Sequence, residues 1–229
     1  MDARQRRGQT VKLRRYGRER QDNAQRVRKP RQGNADEASY LYKEIGMSAI
    51  HQPDPTSRII LGIDPGVAIV GYAVLEAQGD ALRMIACDVI RTPAGLPLAP
   101  RLQQIYQQLG GIVSSYRPEE AAIEELFFGK NASTAIAVGQ ARGVIMLALA
   151  NSGLSIAEYT PNEVKLAVTG YGAAKKEQVG EMVRLLLHLT AIPRPDAAAD
   201  AAAIAICHAH SVRYTQQEER NNGVARRKR

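Results

Sequence analysis

Asp64 closes the run Ile59-Ile60-Leu61-Gly62-Ile63 and is followed at once by Pro65-Gly66. A short, β-branched apolar run fits a buried strand better than a helix, and Pro-Gly ends it abruptly. The carboxylate therefore sits at the tip of a central strand, where a charge is costly to bury unless it has a partner. A metal ion is the partner this placement suggests; a turn-initiating Asp before Pro-Gly is the plainer alternative. Glu124 ends a second apolar run, Ala121-Ala122-Ile123, and Asp200 lies in the first turn of an Ala-rich helical stretch. If the two strands are neighbours, Asp64 and Glu124 emerge side by side. Mg²⁺ prefers hard oxygen ligands and keeps several waters, so three or four carboxylates suffice to hold it. Two such ions about 3.5–4 Å apart can activate a water and stabilise the attacking and leaving oxygens of a phosphodiester. No Ser-His-Asp or Cys-His arrangement competes for a catalytic role. His208 and His210 read as surface or helix-end histidines, and His188, amid Leu185–Leu189, as structural.

The elements that must position these groups begin at Arg58. After the first strand, Val70–Glu76 and Leu82–Ile90 read as two more strands, with Gly79-Asp80 as a hairpin turn between them. Leu102, Ile105, Tyr106, Leu109, Ile112 and Val113 form a helical stripe over Leu98–Tyr116, ending before Pro118. A fourth strand covers Ala121–Leu126. Asn131 can cap a helix running to Asn151, with Gly153 beyond its end. A short fifth strand, Ser155–Tyr159, precedes three helices, at Pro161–Val168, Lys175–Leu189 and Asp196–Val212. Three meandering strands followed by alternating helix and strand predict a mixed α/β sheet with helices on its faces.

The formal charge of +8 is uneven along the 229 residues. Residues 1–57 hold 13 Lys and Arg against 7 Asp and Glu, and residues 213–229 hold 6 against 2, so residues 58–212 carry a net −2. The basic character belongs to the flanks and suggests non-specific attraction to nucleic acid. Residues 1–57 lack a sustained apolar period and read as a basic, disordered extension; Met47 offers an alternative start shortly before the domain. Residues 58–212 form the predicted domain, and 213–229 a basic tail. No apolar run approaches the roughly 20 residues of a membrane span. Cys87 and Cys207, far apart in apolar segments, read as reduced thiols of a cytosolic protein.

From Arg58 to His210 the chain resembles the RuvC-type Holliday junction resolvases. The resemblance rests on Leu61-Gly-Ile-Asp-Pro-Gly66, Ala122-Ile-Glu-Glu-Leu-Phe127 and Lys130-Asn-Ala-Ser-Thr-Ala135. Gly139-Gln-Ala-Arg-Gly143, Val164-Lys165, Lys175-Lys176-Glu-Gln-Val179 and Ala199-Asp200-Ala-Ala-Ala-Ile-Ala-Ile206 follow in the same order. It implies a ribonuclease-H-like fold with a five-stranded mixed sheet. It further implies a homodimeric, Mg²⁺-dependent endonuclease of the bacterial cytoplasm that nicks two opposed strands of four-way junction DNA in recombination and repair. Two ions per site are expected, with Mn²⁺ able to substitute, and the RuvA–RuvB branch-migration machinery is the expected protein partner. Asp64, Glu124 and Asp200 match the family's catalytic, metal-binding carboxylates. Lys165 and Lys176 match basic residues on the DNA-facing side, where a Lys near the scissile phosphate strengthens the local field; Lys130 and Lys175 belong to the same DNA-binding set. Phe127 matches an aromatic that inserts at the junction centre and can stack on an unpaired base. The apolar face of residues 133–150 matches the family's dimer helix; packing only on its own sheet is the alternative.

One position departs from the pattern. The family places an acidic residue, or in some members His, three positions before the match to Asp200, and here Ala197 stands there. Asp196 is one place earlier, and i and i+4 share a helix face much as i and i+3 do. Either Asp196 joins the catalytic set, or the site lacks one ligand and the chain binds junctions while cleaving them slowly or not at all. An actin-like nucleotide-binding half also carries Asp-x-Gly after its first strand, but that fold needs two such halves and this chain supplies one.

Overall fold

The computed structural model describes residues 57–125 and 132–227, the side chains of 132–134 and 215–227 excepted. Strands β1 (Arg58–Asp64), β2 (Ile69–Gln78) and β3 (Ala81–Arg91) form an antiparallel meander. Gly79, at φ +56°, and Asp80 make the two-residue turn between β2 and β3, a left-handed conformation that glycine adopts without steric cost. Helix α1 (Leu98–Tyr116) then crosses to β4 (Glu120–Glu124), which pairs parallel with β1. Helix α2 (Ala132–Asn151) leads to β5 (Ser155–Tyr159), parallel to β4. The sheet order is β3-β2-β1-β4-β5. Helices α3 (Pro161–Thr169), α4 (Lys176–Leu186) and α5 (Asp196–Arg227) complete the chain. No helix among the described residues is long and apolar enough to cross a membrane.

Alternation along the strands sorts the core into two layers. Ile59, Leu61 and Ile63 of β1, with Val70 and Val74 of β2, pack with Ile105 and Leu109 of α1 and Ile145 and Leu149 of α2. Each large side chain buried there contributes roughly 1.5–3 kcal/mol. The opposite face carries Ile60, Ala73, Leu75 and Ala122, covered by α5 and by Val164, Val168, Val179 and Val183 of α3 and α4. Helix α5 meets this face through small residues. A Cβ on Gly62 would lie 2.2 Å from the Ala201 carbonyl oxygen, and one on Gly71 would lie 1.8 Å from that of Ala197. The two glycines and the alanines of α5 thus bring helix backbone directly onto sheet backbone.

Two helix boundaries differ from the sequence expectation. Helix α4 ends at Leu186, not Leu189, because His188 takes a left-handed φ of +53° and Leu189 N–H bonds back to the Arg184 carbonyl at 2.8 Å. No glycine marks that turn. Helix α5 continues past Val212 to Arg227; the polar residues after Val212 include neither Gly nor Pro before Gly223, so nothing in them forbids helix. Cys87 and Cys207 are free thiols, both pushed up in pKa chiefly by burial.

Candidate active site

Register explains how the two strand-tip carboxylates meet. Ile63 pairs with Ile123 across the parallel β1–β4 ladder, so the next residues, Asp64 and Glu124, leave the sheet side by side. Alternation turns both toward the face covered by α5, where Asp200 projects from the helix's second turn. Burial raises the Asp64 pKa to about 7, and Asp200 and then Glu124 push it the same way. Burial likewise raises Glu124, with Asp200 adding to it and Lys165 and Lys176 opposing it. The three carboxylates therefore feel one another as like charges in a poorly solvated corner. Lys176 Nζ lies 2.8 Å from Asp200 Oδ2. Partial burial works against its charge, yet Asp200 and Asp196 hold it above the ordinary lysine range.

Local sequence places the lysines. Thr160 caps α3 by accepting from the Glu163 N–H at 3.2 Å, while Glu163 Oε2 accepts from Thr160 N–H at 2.8 Å. This reciprocal box starts α3 so that Lys165 comes within electrostatic reach of Glu124. Lys175 N–H donates to Gln178 Oε1 at 2.8 Å and opens α4, which puts Lys176 in its first turn; Lys175 itself is exposed. Phe127 and Lys130 lie outside the described residues.

Asp196 stands at the rim. Its Oδ1 accepts from Arg194 at 2.5 Å and its Oδ2 lies 3.5 Å from Lys176 Nζ, with the side chain 53% exposed. Asp200 acts directly on both Asp64 and Glu124, whereas Asp196 acts on the shared Lys176. A shallow cleft of about 140 Å³ between α4 and α5 runs from Arg194 and Asp196 to Asp200. Among the described residues, no three His, Cys, Asp or Glu side chains close into a ready-made metal cage. The donor set is nonetheless all carboxylate oxygen around an excess of negative charge. That suits Mg²⁺, which is held through one or two carboxylates and keeps its waters.

Two supporting groups were not evident from sequence. Arg142 of α2 donates to the Glu124 backbone carbonyl at 3.1 Å and pairs with Glu158, fixing the chain where β4 ends. His208 is not at the surface as expected: it is 7% exposed, with Nε2 2.9 Å from Glu120 Oε2 and Nδ1 2.8 Å from the Tyr159 hydroxyl. Arg58 completes the chain on Glu120 at 2.9 Å. The alanine run hid this burial, because a helix with small residues all round shows no apolar stripe from which to read a direction. His210 is also tied down, its Nδ1 lying 3.1 Å from the Ala167 carbonyl.

A mixed sheet in the order β3-β2-β1-β4-β5 with helices on both faces is the ribonuclease-H-like architecture. Residues 60–208 match the family model described as crossover junction endodeoxyribonuclease RuvC. The chain belongs to the RuvC family of crossover junction endodeoxyribonucleases. It is 56% identical over 156 residues to the RuvC of Heliobacterium modesticaldum, covering 68% of this chain and 96% of that relative. It is 54% identical over 157 residues to that of Chloroflexus aggregans, with 69% and 96% covered. Among solved structures, T. thermophilus RuvC in complex with Holliday junction substrate superposes with a TM-score of 0.66 at 36% identity, over 69% of this chain and 96% of that one.

Proposed function

We propose that this chain resolves four-way DNA junctions by metal-dependent nicking of opposed strands, with Asp64, Glu124 and Asp200 holding Mg²⁺. One observation carries the reading: parallel pairing of β1 and β4 sets two half-buried carboxylates side by side beneath a third on α5. Charges of one sign, kept together in a desolvated corner, cost stability unless a cation joins them. When bound, two divalent ions supply an activated water and neutralise charge on the attacking and leaving oxygens. Mn²⁺, with the same taste for oxygen ligands, can replace Mg²⁺.

The remaining residues have simpler tasks. Lys165 and Lys176 set positive charge beside the carboxylates, where the scissile phosphate must come, and Lys175 and Lys130 serve as further contacts for backbone phosphates. Phe127 stacks on a base at the junction centre. Ile136 and Leu147 of α2, 64% and 55% exposed, suit a homodimer that presents two sites to one junction. That the similar T. thermophilus RuvC forms a complex with Holliday junction substrate supports the choice of DNA. RuvA–RuvB is the fitting partner and the bacterial cytoplasm the fitting compartment.

Incubating the protein with a synthetic four-way junction and Mg²⁺, then mapping the nicks, tests the proposal. Paired nicks in opposed strands are expected. Tight junction binding without cleavage would make the chain a junction-binding protein instead of an enzyme.

A further inference from the structure

Where α5 crosses Gly62 and Gly71 it presents alanines to the sheet, although Ile204 and Ile206 of the same helix are buried in the same core layer. Such a contact brings the helix close but offers few knobs and holes to stop it sliding along its axis. Asp200 rides on that helix, whereas Asp64 and Glu124 ride on the sheet. Directional contacts must therefore help set where Asp200 stops; Cys87 Sγ of β3, 3.2 Å from the Ala198 carbonyl, is one at the start of the helix. Two turns beyond Asp200, His208 is the one buried polar side chain on the described part of α5. Both its ring nitrogens are engaged from the sheet, by Tyr159 at the end of β5 and Glu120 at the start of β4. Glu120 accepts hydrogen bonds, so Nε2 carries the proton and Nδ1 accepts from the tyrosine hydroxyl. Glu120 is itself anchored by Arg58 of β1. The resulting path, Tyr159 to His208 to Glu120 to Arg58, ties α5 to three adjacent strands.

We infer that His208 is a positioning residue, the pin that sets the register of α5 on the sheet and thereby the placement of Asp200 opposite Asp64 and Glu124. This rests on the reading of those three carboxylates as a metal-holding nuclease site. Sliding is opposed because any shift of about 1 Å breaks hydrogen bonds of a buried imidazole, 7% exposed, that cannot turn to water instead. Misplacement on that scale can cost about 10²-fold in rate.

The test uses the full chain with Tyr159→Phe, His208→Gln and the double variant. Each is measured at a temperature where circular dichroism finds it folded. Single-turnover cleavage at saturating Mg²⁺ is expected to fall tenfold to a hundredfold on the scale set by such misplacement, with junction affinity unchanged. The double variant should lose no more than the worse single one, since both break the same pin. His208→Ala, which keeps neither hydrogen bond, should lose more than His208→Gln. Binding of Mn²⁺, read by electron paramagnetic resonance without DNA, should weaken in parallel. That readout is independent of cleavage: a parent that binds Mn²⁺ without cutting junctions sinks the resolvase reading, not the pin. Folded variants with parental Mn²⁺ affinity and parental rates would overturn the inference, leaving the chain of hydrogen bonds a stabilising feature only.

Discussion

Strand β4 carries a glutamate at each end, both on the face beneath α5, and the two live in opposite company. Glu120 accepts from Arg58 at 2.9 Å and meets His208 at 2.9 Å. Glu124, four residues on, faces Asp64 and Asp200, and its pKa is raised by burial and then by Asp200. One carboxylate is answered by the Arg58 cation and the His208 N–H; the other is set among like charges that Lys165 and Lys176 only partly offset. A fold can use the first arrangement to hold itself together. The second works against the fold and makes sense where a cation from solution completes it, so the contrast supports the proposed division into a structural acid and a functional one without reference to any relative.

The sharpest break comes from neutralising each acid in turn. Glu124→Gln keeps the shape and removes the charge. Cleavage should drop by more than about 10²-fold, on the scale of losing one electrostatic stabiliser from a catalytic site. Junction binding should stay nearly intact, because affinity comes chiefly from phosphate contacts elsewhere. Metal-free thermal stability should rise, since a like charge has gone. Binding lost in parallel with cleavage would show Glu124 to be structural and the contrast mistaken.

The next largest effect concerns how many acids the functional end holds. Asp196 is solvent-facing and tied to Arg194 and Lys176, and it is Asp200 that presses on Asp64 and Glu124. On that geometry Asp196→Asn should cost less than tenfold in initial rate. Ala197→Asp should raise the rate, up to about 10²-fold if it places the missing group well. Should Asp196 instead be the working ligand, the two results exchange: Asp196→Asn nearly stops cleavage, and Ala197→Asp adds only repulsion. Rates at saturating Mg²⁺ for the parent and both variants decide between them.

At the structural end the expected change is in stability. Glu120→Gln leaves Arg58 and His208 with a weaker acceptor. About 1–2 kcal/mol should be lost, less than a fully buried charged hydrogen bond because Glu120 is partly exposed. Denaturant titration measures it, and an unchanged midpoint would mean that Glu120 contributes nothing at this end.

How far these assignments could be read from sequence follows the strength of the local signals. The run Ile59–Ile63 into Asp64-Pro65-Gly66 announces a buried strand and its tip, and β5 and α1 fall at Ser155–Tyr159 and Leu98–Tyr116 as their patterns imply. Sequence alone leaves the pairing of β1 with β4 open, and the sheet order supplies it. What could not be read is long-range. Glu120 has no sequence feature linking it to His208, 88 residues away. Arg142 reaches a backbone carbonyl on another element, a contact no motif encodes in physical terms. Ala197 was legible as a departure, but its backbone pressing on Gly71 was not.

The smallest expected effect, and the most direct probe of the like-charge end, is its pH dependence. Burial, with Asp200 and Glu124 beside it, holds the Asp64 carboxyl up at about 7 in the fold, well above its ordinary value of 3.8. Below about pH 4 the group is protonated whether the chain is folded or not, and it imposes no penalty. Between there and pH 7 the unfolded chain sheds a proton that the native state keeps, so stability falls as pH rises. Above 7 both states are ionised and the penalty is complete. In EDTA, the margin by which Asp64→Asn melts above the parent should therefore widen from pH 5 to pH 8, by a few degrees for a domain of this size. Mg²⁺ binds the ionised form, so added Mg²⁺ should protect the parent more at pH 8 than at pH 5 and shrink that margin. Melting curves for both proteins, at both pH values, with and without Mg²⁺, make the measurement. A margin that stays constant with pH and ignores Mg²⁺ would mean that Asp64 is as well answered as Glu120, and the distinction between the two ends of β4 would lose its physical basis.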